Sequence, residues 1–360
     1  MLSDKLTMRA CVLARNGKLD LVHLPITAPA ADECQIAVHA VGVCSSDISR
    51  SFSGGAHVYP LVMGHEFSGR IVQCGDAVAD RWRPGEAVAV FPLLPCFDCE
   101  ACQAEEYARC GHYDYYGSRR HGAYAQYLNV KTWNLLRVPS PVDLDDAALC
   151  EPLSVVIHAV NRLGVSGSAS TPRIAVLGAG FLGLLAVEVL RRKHAGARIV
   201  IMDRNVQKLT HAKGVADELV ELDGEAQWDE WVAANRGSFH YVLEAVGAPL
   251  TFRNALEIIA PGGSVVWMGN ISGDLTLPMK LVSSVLRKEA RVIGTWNSGY
   301  RGSMPSDWTE ALDLIGGGLR PSRYVSSVVS LGDLPEILFQ LYQHKSRKVN
   351  HPVIKILVRP

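Results

Sequence analysis

The pattern of hydrophobic and polar residues changes along the chain and predicts alternating strands and helices in its second half. Residues 172–190, PRIAVLGAGFLGLLAVEVL, are typical of a short apolar strand, a glycine turn and an apolar helix. Further on, FHYVLEAVG, GGSVVWMGN and ARVIGTW are typical of strands, and TFRNALEIIA is typical of a helix between them. Alternation of this kind favours a doubly wound, parallel α/β sheet, which we place at residues 155–297. We expect a surface loop at GVSGSASTP, before its first strand.

The glycine turn indicates a dinucleotide site. Gly178, Gly180 and Gly183 fit the pattern G-x-G-x-x-G, with Leu182 inside it. The first glycine permits a tight turn, the second lets a pyrophosphate approach the backbone, and the third lets helix and strand pack closely. Because a predicted strand precedes the turn and a predicted helix follows it, the pattern has the context that the function requires.

An acidic residue follows at the expected distance. The strand ARIVIMD ends at Asp203, twenty residues beyond Gly183. A carboxylate there accepts hydrogen bonds from the ribose hydroxyls and repels a 2′-phosphate, so NAD is favoured over NADP. Arg204, next to it, could instead attract that phosphate, but we interpret it as a solvated surface charge while Asp203 is present.

Composition excludes several classes of protein. The 360 residues carry 36 basic and 36 acidic side chains, and 48% are hydrophobic. This balance leaves no electrostatic signature for nucleic acid or an anionic membrane. No apolar run approaches membrane-spanning length, and the first residues lack the apolar core of a signal peptide. We therefore expect a cytoplasmic protein, in which clustered cysteines favour a metal site over disulfides.

Four cysteines stand close together in a lobe at about residues 93–113, at positions Cys96, Cys99, Cys102 and Cys110. Cys-x2-Cys turns can point thiolates at one tetrahedral ion, and a fourth thiolate closes the shell. The spacing predicts a closed, structural zinc site. An iron–sulfur cluster, which also takes thiolate ligands, is the alternative.

A second metal site is indicated by residues that are far apart in the chain. Cys44 lies in VGVCSSDI, His65 in VMGHEFSG, and Glu151 in ALCEPLSVVIHA. A cysteine, a histidine and a glutamate can hold zinc while leaving a fourth position for water or substrate.

These motifs carry a resemblance to a known family. CSSD, GHE, the four-cysteine lobe and EPLSV occur in the order seen in zinc-dependent medium-chain alcohol and polyol dehydrogenases, and the similarity covers essentially the whole chain. The resemblance implies a GroES-like, twisted β-barrel catalytic domain at residues 1–154 and a Rossmann domain that binds NAD at 155–297. It also implies a return to the catalytic domain at 298–360.

The resemblance implies a role for each motif residue. Cys44, His65 and Glu151 correspond to ligands of a catalytic zinc, and Glu66 to a carboxylate that can approach or replace a ligand. In some polyol dehydrogenases the Glu66 position ligates directly and the Glu151 position acts through water, so both arrangements stay open. Cys150, beside Glu151, leaves a one-residue ambiguity that EPLSV decides in favour of Glu151. Two further assignments follow: a hydroxyl proton relay, Ser46, and a carboxylate that orients His65, Asp47.

The implied reaction uses two zinc ions per chain and NAD. Zinc lowers the pKa of a secondary alcohol, and a hydride passes to the nicotinamide ring. Family members are commonly homodimers or homotetramers joined through an edge strand of the nucleotide domain, which SVVWMGN would supply.

The resemblance narrows in PLLPCFDCEAC, YDYYGSRRHGAYAQY and VLRKEARVIGTW to the galactitol-1-phosphate 5-dehydrogenase branch, which forms L-tagatose 6-phosphate. A phosphorylated substrate needs a cationic clamp, for which Arg119 and Arg120 are the candidates, with Lys288 and Lys348 weaker. An alternative interpretation of the two arginines is a basic surface turn. The aromatic candidates for the substrate pocket are Phe52, Tyr59 and Trp296.

Several alternative functions are compatible with part of the sequence. The alternatives within the family are an unphosphorylated polyol or diol (sorbitol, galactitol or butanediol) and L-threonine. A zinc-free reductase of the same superfamily would carry one zinc instead of two. A zinc-ribbon protein that binds nucleic acid is opposed by the neutral charge and by the cofactor half.

Overall fold

The computed structural model describes residues 6–15, 17–165, 171–302, 304–347 and 349–360. Five residues of the loop predicted at GVSGSASTP and the candidate Lys348 lie outside the described residues. The chain divides into two compact units. The first comprises the residues up to Ser154, Gly299–Val349 and Lys355–Pro360, and the second comprises Val155–Ser298 and Asn350–Ile354. No helix in the described ranges is long and apolar enough to cross a bilayer.

The strands and helices are numbered in chain order over the described residues. The strands are β1 Thr7–Leu13, β2 Leu19–Pro25, β3 Glu33–Gly42, β4 Leu61–Val62, β5 Glu66–Cys74, β6 Ala87–Val90, β7 Leu93–Leu94, β8 Asp114–Tyr115, β9 Tyr127–Lys131, β10 Leu135–Arg137, β11 Arg173–Leu177, β12 Arg198–Asp203, β13 Glu218–Glu221, β14 Phe239–Glu244, β15 Ile259–Trp267, β16 Arg291–Gly294, β17 Val325–Ser330 and β18 Lys355–Arg359. The helices are α1 Ser45–Phe52, α2 Glu100–Gln103, α3 Leu144–Ala148, α4 Cys150–Leu163, α5 Phe181–Lys193, α6 Val206–Leu209, α7 Glu225–Asn235, α8 Pro249–Ile258, α9 Met279–Arg287, α10 Asp307–Gly316 and α11 Leu334–Ser346.

The first unit is built mainly from antiparallel strands. Strand β3 is its hub, because it pairs antiparallel with β5, β9 and β18. The larger sheet has the order β10-β6-β5-β3-β18-β17, with β9 also on β3, and a smaller sheet has the order β2-β1-β4. The pairing sets Gly42, at the end of β3, opposite Glu66, at the start of β5, and opposite Leu357 of β18. Three distant parts of the sequence therefore meet at one end of β3.

The second unit contains a parallel sheet with the order β13-β12-β11-β14-β15-β16, in which every neighbouring pair is parallel. The central strands β11, β12 and β14 are buried along most of their length, which explains their nearly continuous apolar sequences. This arrangement confirms the predicted doubly wound α/β fold. The predicted edge strand is wrong, since the SVVW segment lies in β15, between β14 and β16, and the short β16 forms that edge.

Candidate metal centres and cofactor site

The four cysteines of the lobe between β7 and β8 form a compact cluster. Their ligand atoms all lie within 4.8 Å of one another. The Sγ–Sγ distances are 3.9 Å for Cys96–Cys102, 3.6 Å for Cys99–Cys102, 3.8 Å for Cys99–Cys110 and 3.5 Å for Cys110–Cys96. Four sulfurs at about 2.3 Å from a tetrahedral zinc would lie about 3.8 Å apart. The cluster therefore fits a zinc ion, and its four sulfurs would leave no ligand position for a substrate.

Backbone N–H groups of this lobe stabilise the thiolate form of two of its cysteines. The N–H of Cys102 is the main cause that lowers the pKa of Cys99 to about 6, and the N–H of Asp98 contributes most to lowering the pKa of Cys96. The backbone nitrogen of Cys96 also donates to Sγ of Cys110 over 3.4 Å. Since metal binding requires deprotonated sulfur, these donors favour the form of the side chains that binds zinc.

A second cluster forms where β3 and β5 meet. Ligand atoms of Cys44, His65 and Glu66 lie within 4.8 Å of one another, and both His65 and Glu66 are buried. Cys44 caps the N-terminus of α1, two residues after β3 ends at Gly42. A side chain at Gly42 would place its Cβ 2.0 Å from Oε2 of Glu66, so only glycine leaves room for this carboxylate. The cluster presents one sulfur, one imidazole and one carboxylate, a donor set that fits zinc.

Asp47 holds the second cluster from behind, and its side chain is fully buried. Its Oδ2 accepts hydrogen bonds from the backbone N–H of Cys44, over 3.1 Å, and from the hydroxyl of Tyr124, over 2.9 Å. Its Oδ1 accepts from Arg50 over 3.1 Å and lies 3.6 Å from Nδ1 of His65. This arrangement favours a proton on Nδ1 of His65 and leaves Nε2 as the nitrogen for a metal.

Glu66 and Glu151 occupy different surroundings. Glu66 belongs to the cluster and forms a buried ion pair with Lys355 of β18, which also donates to the carbonyl of Val43 over 2.9 Å. Glu151 is not in the group within 4.8 Å, but its Oε1 accepts from the hydroxyl of Tyr115 over 3.3 Å. Burial raises the pKa of Glu151 to about 8, against the opposing effect of a charged His65.

Cys150, the alternative to Glu151, faces elsewhere. Its thiol lies 3.7 Å from the carbonyl of Trp308, and burial raises its pKa. The charges of Cys44, His65 and Glu66 act on Glu151. Of the two neighbours, Glu151 is therefore the one beside the metal cluster.

The remaining predicted residues of the first unit differ in their position. Ser46 lies in the first turn of α1, two residues after Cys44. Phe52 stacks on Tyr342 of α11, with ring centroids 4.8 Å apart, and acts as a packing residue between α1 and α11.

The side chains of the two arginines in GSRRHG contact different partners. The guanidinium of Arg119 lies over the ring of Tyr113, 4.4 Å from its centroid. Arg120 lies over Tyr116 and within 3.5 Å of a carboxylate oxygen of Asp114. The structure therefore does not bring the two guanidinium groups to one place. The aromatic candidate Trp296 belongs to the second unit, where its side chain is 63% exposed.

The glycine turn of the second unit has the geometry that a pyrophosphate requires. Gly178 adopts φ +104°, which favours glycine. A Cβ on Gly183 would lie 1.8 Å from the carbonyl oxygen of Gly178, so this glycine permits the close packing of α5 on β11. Gly180 caps α5, and apart from its own chain neighbours and helix backbone no described residue has an atom within 4 Å of the position that its Cβ would take. The turn thus combines an open approach with the N-terminus of a 13-residue helix.

Asp203 reaches this turn from the end of β12. Its Oδ2 accepts from the backbone N–H of Ala179 over 2.7 Å, and its Oδ1 accepts from Asn205 over 2.9 Å. Arg204 is exposed and Leu182 is half-buried. Asp203 therefore fixes the glycine turn, and each oxygen keeps a lone pair that could accept from a ribose hydroxyl.

Sequence reasoning missed several residues that support these sites. Glu244, at the end of β14, accepts from the backbone N–H groups of Val246 and Gly247 over 2.9 and 2.8 Å, and it holds the loop that touches Gly178. Its place, a carboxylate at the end of a strand of the parallel sheet, matches that of Asp203 and could have revealed it. Tyr124 and Lys355 gave no comparable signal, because each reaches its partner only through the fold.

Comparisons with known proteins agree with this architecture. Residues 30–140 match the family model described as the alcohol dehydrogenase GroES-like domain, and residues 182–316 match the one described as zinc-binding dehydrogenase. The chain is 35% identical to galactitol 1-phosphate 5-dehydrogenase of Escherichia coli K12, over 79% of this chain and 81% of the relative. It is 30% identical to L-galactonate-5-dehydrogenase of the same organism, over 87% and 88%. The crystal structure of galactitol-1-phosphate dehydrogenase from Escherichia coli matches with a TM-score of 0.85 and 31% identity, over 98% of this chain and all of that one.

Proposed function

This chain belongs to the zinc-binding alcohol dehydrogenase family, and we propose that it catalyses the NAD-linked oxidation of a secondary alcohol of a polyol phosphate. The first candidate reaction converts galactitol 1-phosphate to L-tagatose 6-phosphate. The observation that carries the proposal is the cluster of half-buried Cys44 with buried His65 and Glu66, which Asp47 supports. The similarity to a galactitol 1-phosphate 5-dehydrogenase supports this choice of substrate.

The residues of the first unit would divide the metal chemistry between them. Cys44, His65 and one of the two glutamates would hold the catalytic zinc, and the four lobe cysteines would hold a second, structural zinc. Bound zinc supplies a Lewis acid that lowers the pKa of an alcohol. Glu66 is the stronger candidate for direct contact, because it lies within the cluster and Glu151 lies beside it.

Oxidation would remove a hydride from the carbinol carbon and a proton from its hydroxyl, and bound NAD would supply the hydride acceptor. Asp47 orients His65 and keeps one ring nitrogen directed at the metal position. Ser46 is the hydroxyl through which we route the proton, since it lies in the first turn of α1, two residues after the candidate ligand Cys44. Proton and hydride thus leave the substrate by separate routes.

The cofactor would lie on the second unit. Gly178, Gly180 and Gly183 would admit the pyrophosphate, and Asp203 would accept from the ribose and exclude a 2′-phosphate. We keep the division into a catalytic domain at 1–154 and 298–360 and an NAD domain at 155–297 as part of the proposal, together with assembly as a homodimer or homotetramer.

A sugar acid is the second candidate substrate. The chain is 30% identical to an L-galactonate-5-dehydrogenase. Both candidates are polyhydroxylated chains that carry an anionic end. Sorbitol, galactitol and butanediol have no anionic group, and L-threonine has only one hydroxyl.

The test is a set of initial rates of NADH formation with galactitol 1-phosphate, L-galactonate, galactitol, sorbitol, 2,3-butanediol and L-threonine. The protein should contain two zinc ions per chain by elemental analysis. We expect galactitol 1-phosphate to have the highest kcat/KM. A higher value for a neutral polyol or for L-threonine would contradict the choice of substrate, and one zinc per chain would contradict the metal assignment.

A further inference from the structure

Arg119 carries a buried polar atom with no partner. Its Nε is inaccessible to solvent and makes no hydrogen bond to any residue that the structure describes. Its contact with the face of Tyr113 does not supply an acceptor for this N–H. Leaving a buried donor of a charged group unpaired costs free energy, so the site is incomplete without an acceptor.

The position of Arg119 relates it to the metal cluster through two aromatic rings. The ring of Tyr113 lies 6.1 Å from the ring of Tyr115, centroid to centroid. The ring of Tyr115 in turn lies 5.8 Å from that of His65, and its hydroxyl bonds Glu151. Arg119 is thus connected to the candidate zinc ligands through the rings of Tyr113 and Tyr115.

The unpaired donor of Arg119 belongs to a guanidinium group. Phosphate and carboxylate are the groups that guanidinium donors recognise best. A terminal anionic group of the substrate is therefore a suitable acceptor for this N–H.

The neighbouring Arg120 does not share these properties. Its guanidinium lies 3.5 Å from Asp114, which offsets its charge. It lines a different cavity, of about 470 Å³, together with Gln35 and Asn129. Arg120 therefore offers a matched control, since it has the same side chain and is one residue away.

We propose that Arg119 binds the terminal anionic group of the substrate, and that Arg120 takes no part in it. The inference rests on the proposed function, because it assigns the anionic end of the same substrate. It narrows the cationic clamp from a pair of adjacent arginines to Arg119 alone.

The first experiment compares kcat/KM for galactitol 1-phosphate and galactitol in the wild-type protein, Arg119→Ala and Arg120→Ala. Loss of a charge-assisted contact should lower the value for the phosphate roughly 10- to 100-fold in Arg119→Ala, mainly through KM. Oxidation of galactitol, which has no anionic group, should be nearly unchanged. Arg120→Ala should behave as the wild type with both substrates, and thermal unfolding midpoints should show that both variants fold.

Equal effects of the two substitutions, or a larger effect of Arg120→Ala, would overturn the inference while leaving the reaction in place. A calorimetric titration of the zinc-loaded protein with inorganic phosphate tests the site without turnover. Weaker binding in Arg119→Ala alone supports the site, and equal binding in all three proteins removes it. If L-galactonate is the preferred substrate and its oxidation depends on Arg119, the result supports the anion site and contradicts the choice of a phosphorylated substrate.

Discussion

The two cysteine-containing clusters of the first unit use similar ligand atoms but differ in closure. The lobe cluster has four sulfurs with Sγ–Sγ distances of 3.5 to 3.9 Å, so a metal there would be fully surrounded. The cluster around Cys44 has one sulfur, one imidazole and one carboxylate, with a second carboxylate set back on Tyr115. The chain would supply all four ligands of a metal in the lobe, but only three in the cluster around Cys44. The first arrangement is typical of a metal that stabilises a fold, and the second of a metal that activates a substrate.

The clusters also differ in what supports them. The lobe cysteines are held by backbone N–H groups within a single short segment. The second cluster depends on side chains, with Asp47 behind His65 and Lys355 behind Glu66. Single substitutions of the supporting side chains can therefore alter the cluster around Cys44. The lobe cluster is supported by the backbone, so we expect it to change only when a ligand is removed.

The largest expected effect is that of His65→Ala. Loss of a ligand from the open site should lower kcat/KM by about 1000-fold or more, because a Lewis acid contributes several kcal/mol to the transition state. Zinc content should fall from two ions to one per chain, with little change in the thermal midpoint. His23→Ala, in the exposed part of β2, is the control and should match the wild type. Loss of both zinc ions would show that the two sites are not independent.

A smaller and different effect is expected for Cys99→Ser in the lobe. Zinc content should again fall to one, but the loss should appear as a lower thermal midpoint, by about 10 °C, because structural zinc contributes folding free energy. At low temperature, kcat of the folded protein should stay within about twofold of the wild type. Cys74→Ser, outside both clusters, should leave zinc content unchanged. If Cys99→Ser lowers kcat as strongly as His65→Ala does, the distinction between a structural lobe cluster and a catalytic second cluster would be contradicted.

An effect on activity smaller than that of His65→Ala is expected for Asp47→Asn, which keeps the shape of the side chain and removes its charge. Weaker orientation of His65 should reduce activity or affinity for the catalytic zinc by about 10- to 100-fold. A chelator titration should release one zinc faster than in the wild type and the other at an unchanged rate. Faster release of both ions would assign Asp47 a general structural role.

Spacing alone predicted the residues that act through the backbone or through a fixed local pattern. The four lobe cysteines and the glycines at 178, 180 and 183 are examples, since neighbouring residues dictate their geometry. Position in a strand predicted Asp203, although not its bond to Ala179. The doubly wound sheet was predicted from alternation, but its edge was not, because the four residues of β16 give a weak signal.

Contacts across long separations could not be predicted. Lys355 reaches Glu66 only because β18 pairs with β3, and Tyr124 reaches Asp47 only because the fold brings it next to α1. The two arginines at 119 and 120 look equivalent in the sequence, yet one faces Tyr113 and the other Asp114. The direction in which a side chain points from an irregular loop depends on tertiary packing. No local pattern in the sequence encodes that direction.

The placement of Lys355 also bears on the order in which the two sites form during folding. The lobe cysteines are closed by a separation of 14 residues between Cys96 and Cys110. Lys355 and Val43 are separated by 312 residues, so the support of Glu66 is complete only after β18 has paired with β3. Because closing a long loop costs more entropy and is slower than closing a short one, the lobe can capture metal early in folding. The fully supported open site then forms late, so a chain that has not completed its fold can hold zinc without yet being an efficient catalyst.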